Sequence, residues 1–316
     1  MTTGIFKLIH RTLLPLNISL AVLAAFSFTS TAIAQSEDEN SRQIVLDRFN
    51  KARPAEAANT PSVRNRTRVA LRAAIYRRTG PLRGPRISTR VQFEEVGVTV
   101  WRLRPARPSD EGGRVLVQEG LKQAEWTPER IEADTPLKIG DRVRLSVESP
   151  RPGFLYIIDR EQYADGSLGE PMLIFPTLRT RGGDNRVEPG KLIDIPAQED
   201  QYSYFTAQPA GDRRDQTAEV LTIILVPQPL PLQIAEQPLK MAEGQITGWE
   251  KLWGGLAERL ELVGGAGRLW TMEEKAAGAA MGRQLTQAGP PPQTVYRVAR
   301  KTGGPLLVTV PLRYGR

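Results

Sequence analysis

The chain has 316 residues, with 43 Lys and Arg against 35 Asp and Glu, one histidine and no cysteine. The missing cysteines exclude disulfides, thiol nucleophiles and iron–sulfur clusters. The single histidine is His10, and its removal on export, which the N-terminal pattern indicates, would also exclude a Ser-His-Asp triad and the usual zinc sites.

Residues 1–34 have the pattern of a secretory signal peptide. Two basic residues precede an uncharged run over residues 13–28, and Ala32-Ile33-Ala34 has the small residues of a cleavage site. An uncleaved anchor is the alternative, but the run is shorter than the ~20 residues that a membrane-spanning helix needs. We therefore expect a mature chain in a bacterial periplasm or outside the cell, with no transmembrane span.

Residues 35–90 are predicted to be an Arg-rich, disordered leader. Residues 42–90 contain twelve arginines and Lys51 against Asp47 and Glu56, whereas the remainder of the chain is close to neutral. Such a charge excess with few large apolar residues is typical of a disordered segment. Because a basic arm is attracted to anionic surfaces, the expected partner is an envelope polymer, a lipid surface or another protein. Nucleic acid is not an expected physiological partner of an exported chain.

Residues 91–316 are expected to form one β-rich domain. Apolar residues alternate with polar ones in some segments and form short continuous runs in others, with Gly and Pro turn signals between them. The predicted strands are residues 96–105, 142–148, 154–158, 172–175, 192–195, 202–207 and 220–226. Strands at this spacing without helical patterns between them favour an antiparallel sandwich over a parallel α/β sheet.

A helical insertion is predicted over residues 245–287. Apolar residues recur at helical spacing between 249 and 262, and Thr271 with Glu274 has the form of a capping box that opens a second helix to about residue 285. Two strands within residues 293–313 are expected to return to the main sheet. The predicted fold class is therefore mainly β: an antiparallel β-sandwich with a C-terminal two-helix insertion and returning strands.

Residues 135–230 resemble the family called domain of unknown function 4384. The resemblance rests on GDRVRLSVESPRPGFLYIIDR (140–160), YADG (163–166), LIFP (173–176), GGDN (182–185) and IP (195–196). Stretches at 100–105, 264–267 and 292–297 look like the flanks of stand-alone exported members. That family is β-rich and accompanies peptidase or kinase domains in other architectures. The resemblance therefore implies an accessory or recognition role and assigns no activity.

Polar residues gather in two predicted loops, which are residues 159–171 and 181–186. The candidate site residues are Asp159, Asp165, Glu170, Asp184 and Asn185. If the strands around these loops are hairpin neighbours, their oxygens could meet at adjacent sheet ends and bind Ca²⁺ or another hard cation. The same residues are turn formers, and the order of a helix-loop-helix calcium site is missing. We therefore predict no catalytic residue, no cofactor and no metal, and keep the five as candidates for cation binding or recognition.

Two functions are compatible with this pattern. The leading hypothesis is a non-enzymatic exported domain that recognises an envelope component or a partner protein. The alternative is a carboxylate-based hydrolase of a polysaccharide or cell-wall polymer, which needs two carboxyl groups about 5 Å or about 6.5–9.5 Å apart. A hydrolase should have a cleft with two facing carboxyls, at least one of them desolvated. A recognition module should have a shallow apolar or aromatic patch, and its acidic residues should only form turns.

Overall fold

The structure is a computed structural model that describes residues 49–55, 76–79, 93–110, 113–119, 122–200, 203–209, 213–255, 257–299 and 304–315. The predicted signal peptide and most of the predicted leader lie outside these ranges. Among the helices within them, none is both long enough and apolar enough to cross a membrane.

Fifteen strands form most of the regular secondary structure in the described part of the chain. In order they are β1 (Tyr76–Thr79), β2 (Phe93–Pro105), β3 (Val115–Glu119), β4 (Lys122–Ile131), β5 (Arg142–Glu148), β6 (Gly153–Tyr163), β7 (Met172–Phe175), β8 (Arg186–Val187), β9 (Leu192–Ile195), β10 (Phe205–Thr206), β11 (Gln216–Val226), β12 (Leu239–Lys240), β13 (Ala257–Leu262), β14 (Thr294–Ala299) and β15 (Leu306–Arg313). Helix α1 is Glu243–Trp253, helix α2 is Met272–Gly278, and Arg181–Gly183 form a 3₁₀ turn.

The first sheet is built around β2, which is long enough to pair with three other strands. Along one edge of β2, β14 pairs with residues 93–98 and β4 pairs with residues 100–105. On the other edge, β5 pairs with residues 97–103. The sheet extends through β13 and β1 beyond β14, through β3 beyond β4, and through β9 and β10 beyond β5.

The second sheet has the order β12–β7–β6–β11–β15, with β8 also beside β6. Its pairings, like those of the first sheet, are antiparallel. The two terminal strands return as predicted, but to different sheets, since β14 joins β2 and β15 joins β11. Together the two sheets confirm the predicted antiparallel sandwich.

The main core lies between the two sheets. It includes Val98 and Leu145 from the first sheet and Ile157, Ile223 and Val308 from the second, each at most 2% exposed. Within each strand the core residues are two positions apart, so their side chains lie on the face of the sheet that points to the other sheet. Burying each such side chain stabilises the fold by about 1.5–3 kcal/mol.

Helix α1 covers the outer face of the second sheet. Its Ile246 is fully buried against Ile158 and Ile224, and Trp249 and Trp253 pack beside them with their rings stacked 5.3 Å apart. Both tryptophans are half-buried. They therefore close a second hydrophobic cluster.

The outer face of the first sheet is also covered. The alternation in β5 predicts a half-buried strand with a solvent-facing polar side, yet Arg144, Ser146 and Glu148 are at most 3% exposed. Pro290 and Leu285, from the segment that follows α2, lie over Ser146 and Glu148. The polar side of β5 is therefore buried against a third layer that its own sequence does not indicate.

The predicted helical insertion is corrected in its first half. Helix α1 ends at Trp253, and β13 occupies positions that the helical spacing assigned to the same helix. Gly254 ends the helix, and Leu260 and Leu262, two positions apart, pack in the same hydrophobic cluster, as residues on one face of a strand do. β13 pairs with β1 on one edge and with β14 on the other, which fixes it in the first sheet. This pairing outweighs the local helical pattern.

The second predicted helix begins as expected and ends early. The capping box is confirmed, because Thr271 Oγ1 accepts from the Glu274 amide at 3.1 Å and Glu274 Oε2 accepts from the Thr271 amide at 3.0 Å. Helix α2 nevertheless ends at Gly278 instead of about residue 285. Carbonyls of the next residues, including that of Ala279 at 2.7 Å, instead accept from Lys191 Nζ.

Two pieces of the predicted leader are ordered parts of the domain. Phe49 and Tyr76 are each 1% exposed and share a hydrophobic cluster with Leu260 from β13. Arg53 donates two hydrogen bonds to Glu148, both at 2.7 Å. These residues are therefore not disordered as expected. The rings of Phe49 and Tyr76 are buried, and Arg53 pairs with the buried carboxylate of Glu148. The folded unit therefore includes residues before position 91.

Candidate functional site

The structure places four of the five predicted site residues in two groups at opposite ends of the second sheet. Asp165 and Glu170 lie in the loop before β7, and Asp184 and Asn185 lie in the connection after it. Because β7 runs once along β6, the segments before and after it emerge at opposite ends. Residues 153 and 154, at the start of β6, pair with β8, which directly follows Asp184 and Asn185. The loop that contains Asp165 and Glu170 follows Tyr163, at the other end of β6. The eleven residues of β6 span roughly 30 Å, so the two loops do not meet.

Asp165 and Glu170 have partners on their own loop or on its neighbours. Asp165 Oδ1 accepts from the amide and hydroxyl of Ser167 at 2.9 and 2.6 Å, which is a turn-forming role. Glu170 forms an exposed ion pair with Lys240. Asn185 is buried, and its amide donates to the Leu155 carbonyl at 2.9 Å.

Asp159 lies apart from both groups, on the inner face of β6. Its Oδ1 is inaccessible to solvent and has no hydrogen-bond partner among the described residues. Burial, together with the negative charges of Glu219 and Glu161, raises the pKa of Asp159 to about 8. Within the ranges that the structure describes, no three acidic side chains are placed to hold a metal ion.

A surface groove of about 630 Å³ lies beside the second group of candidates. One wall consists of the 3₁₀ turn, β8 and the turn before β9, and the other is the segment after α2. Six of its eight lining residues are charged: the cations Arg181, Arg186, Lys191 and Arg283 and the anions Asp184 and Glu188. The groove therefore has an excess of positive charge, although the surrounding domain is close to neutral. We call it the cationic groove.

Arg181 is held in the cationic groove by an unusual backbone. Its φ is +53°, and Gly182 and Gly183 follow with φ of +61° and +85°. A left-handed conformation is natural for glycine but costs an L-residue roughly 1 kcal/mol. The Arg181 Nη1 atom is buried and has no acceptor among the described residues. A strained cation with an unpartnered donor in a groove suggests a functional role more than a structural one.

Lys191 lies next to Arg181 and is anchored by carbonyl groups. Its Nζ donates to the carbonyls of Ala279, Ala280 and Gly282 at 2.7, 3.3 and 3.2 Å. Burial, and then the positive charge of Arg181, lower the pKa of Lys191. Two cations thus repel each other in the groove, and a bound anion would relieve that repulsion.

The groove carboxylate Asp184 is tied to its neighbour Arg186. Its Oδ1 accepts from the Arg186 amide at 3.2 Å and from Arg186 Nε at 3.0 Å. Burial acts to raise the pKa of Asp184, but these hydrogen bonds outweigh it and hold the pKa below its ordinary value. Asp184 is therefore an ionised, turn-forming residue.

Only one residue of this groove, Asp184, is among the site residues predicted from the sequence. The GGDN stretch drew attention to Asp184, but the cations Arg181 and Arg186 on either side of that stretch were not identified as site residues. Arg283 lies about a hundred residues further along the chain and has no local signal. Only the packing of the segment after α2 against the 3₁₀ turn brings it into the groove.

The fold and the groove define a β-sandwich domain with a cationic surface site. Residues 136–216 match the model of the family described as Domain of unknown function (DUF4384), so this segment belongs to that family and the predicted resemblance is confirmed. The matching segment includes residues 181–191 of the groove. Neither a curated protein nor a solved structure matches the chain.

Proposed function

We propose that this protein is an exported, non-enzymatic recognition module that binds an anionic envelope polymer in the cationic groove. The observation that carries the proposal is the groove itself, in which four cations face two carboxylates and Arg181 has a donor without an acceptor in the part of the chain that the structure describes. Guanidinium groups suit phosphate and carboxylate oxygens because they donate two parallel hydrogen bonds. The predicted signal peptide supports placing the ligand in the envelope.

The chemistry of the groove favours binding over hydrolysis. A carboxylate-based hydrolase needs a general acid with a raised pKa, facing a second carboxyl group. In the groove, the pKa of Asp184 is lowered and its oxygen is occupied by Arg186. Asp159 has a raised pKa but lies on the inner face of the sandwich, outside the groove lining. These features support the recognition hypothesis over the hydrolase alternative.

The test compares binding of two anionic polymers, polyphosphate and polygalacturonate, with binding of neutral dextran. The informative variant is Arg181→Gly, because glycine suits the backbone at φ +53° while the guanidinium is removed. We expect the dissociation constant to rise about tenfold, equivalent to about 1.4 kcal/mol, without a lower melting temperature. Arg283→Gln should weaken binding in the same direction.

The matched control is Arg268→Gln, an exposed arginine outside the groove lining. Equal weakening by this control would mean that net charge, and not the groove, drives binding, and the proposal would fail. It would also fail if neither polymer bound more tightly than dextran. Release of reducing ends from polygalacturonate would instead support the hydrolase alternative.

A further inference from the structure

A second candidate site lies outside the groove lining, on the covered outer face of the first sheet. Arg144 projects from β5 onto that face between Trp101 of β2 and Pro196. Its side chain is completely buried, and the ring of Trp270 lies 4.7 Å from its guanidinium carbon. Trp270 is itself 1% exposed. A cation and an indole are thus enclosed together.

The donors of this pair are only partly satisfied. Of the guanidinium nitrogens, Nη2 donates to the Pro196 carbonyl at 3.2 Å and lies 3.5 Å from Asp194 Oδ2. Arg144 Nε and Nη1 are buried without an acceptor among the described residues, and so is Trp270 Nε1. Buried donors in proteins are nearly always hydrogen-bonded, so several unpartnered donors in one place indicate a missing acceptor.

Asp194 does not supply that acceptor, because other partners hold its carboxylate in place. Its Oδ1 accepts from Ser146 Oγ at 2.5 Å and its Oδ2 from Gln198 Nε2 at 2.6 Å. Gly278 of α2 closes the remaining space, because a Cβ atom there would overlap Asp194 Oδ2. The carboxylate is therefore fixed where it is, with only a long contact to Arg144.

The charge of Arg144 is also poorly compensated. Burial lowers the pKa of Arg144, and the opposing effects of Asp194, Glu199 and Asp200 do not restore it. A buried cation is costly unless it is paired with an opposite charge. An occupant that is both a hydrogen-bond acceptor and negatively charged satisfies both deficits, whereas a water molecule satisfies only the first.

We propose that Arg144 and Trp270 bind a small inorganic anion, with chloride as the simplest example. Arg144 Nε and Nη1 and Trp270 Nε1 are the donors, and every one of these groups can only donate. Such a site selects anions and rejects metal cations. It is independent of the cationic groove, so either proposal can fail without the other.

The direct test uses the wild-type protein in crystals soaked with bromide. We expect an anomalous peak within about 3.5 Å of Arg144 Nε and Trp270 Nε1, the range of a hydrogen bond to a halide. A weak non-anomalous peak in the same position would identify a water molecule and overturn the proposal. No peak at all would overturn it as well.

A second test measures melting temperature in sodium chloride and sodium gluconate at equal ionic strength. Binding to the native state alone should make the wild-type melting temperature rise with the logarithm of the chloride concentration once that concentration exceeds the dissociation constant. Trp270→Phe keeps an aromatic ring but removes the indole donor, so it should weaken the dependence of the melting temperature on chloride. Arg144→Met should abolish that dependence.

Arg142→Met is the control. Arg142 lies two positions from Arg144 on the same strand, and its guanidinium stacks on Trp126 at 4.1 Å. Equal melting temperatures in the two salts for the wild type would contradict the proposal.

Discussion

Replacing Asp159 by asparagine tests the origin of a pH-dependent stability. Asp159 lies in register with Leu221 of β11, and the next inward pair along these strands is Glu161 with Glu219. Burial and these two neighbouring charges raise the pKa of Asp159 from 3.8 to about 8. At neutral pH the folded protein therefore holds the carboxyl in its protonated form, while the unfolded chain ionises it.

The sign and size of the effect follow from this difference. A group with a raised pKa in the folded state contributes stability that is fully present below about pH 4 and is lost as the pH rises through about 8. Each pH unit between these limits costs up to about 1.4 kcal/mol, so the total approaches about 5 kcal/mol. Asparagine stays neutral throughout. Asp159→Asn should therefore match the wild type near pH 4 and exceed it by a growing margin towards pH 8.

Urea unfolding of both proteins at several pH values between 4 and 8 measures this margin directly. The difference between variant and wild type is the informative quantity, since other carboxyls, including Glu219, also titrate. Glu170→Gln is a matched control, because its exposed pair with Lys240 should contribute less than about 1 kcal/mol. A margin that does not change with pH, or a variant less stable at every pH, would refute the burial argument.

Three further substitutions test the covered face of the first sheet. Arg53→Met leaves Glu148 buried without its bidentate partner and should cost about 3–5 kcal/mol in urea unfolding, and a loss below about 1 kcal/mol would contradict this. Gly278→Ala places a methyl group against Asp194 and should cost about 1–3 kcal/mol, measured as a lower melting temperature, and an unchanged melting temperature would contradict this. Thr271→Ala removes the cap of α2 and should cost about 1 kcal/mol, whereas serine at that position should retain the stability.

Local sequence patterns predicted the sandwich because its central strands carry strong signals. The segments 142–148, 172–175 and 192–195 coincide with β5, β7 and β9, and each has a clear apolar pattern with Gly or Pro at its borders. By contrast, β3 and β4 were not predicted. Charged and polar residues interrupt β4, and the apolar run of β3 is only three residues long. β4 is fixed by pairing with β2, and β3 by pairing with β4.

The helical insertion shows how tertiary pairing overrides a local pattern. The apolar positions between 249 and 262 fit helical spacing, but the part after Gly254 lies between β1 and β14 and completes the first sheet. The ladder bonds that this segment makes on both edges depend on strands that are distant in sequence. Local periodicity carries no information about them.

The candidate site was predictable only where its residues are adjacent in the chain. The GGDN turn pointed to Asp184, whereas the joining of Arg181, Lys191 and Arg283 depends on the packing of two distant segments. The two predicted loops were expected to meet, but a single crossing of the sheet by β7 places them at opposite ends. The predicted strand 172–175 lies between the two loops, so counting one crossing of the sheet is enough to place them at opposite ends.

Buried ion pairs join segments of this chain that are distant in sequence, a role that disulfides fill in many other proteins. The chain has no cysteine, yet Arg53 joins the N-terminal segment to Glu148 over 95 residues, and Arg130 joins β4 to Glu274 of α2 over 144 residues. Desolvation offsets much of the attraction in such pairs, so their main effect is to penalise any arrangement that leaves one partner buried and alone. The pairs therefore specify where the peripheral segments dock on the first sheet, while the apolar core between the sheets supplies most of the stability. This division explains why the alternating strands were predictable from local patterns and the third layer was not.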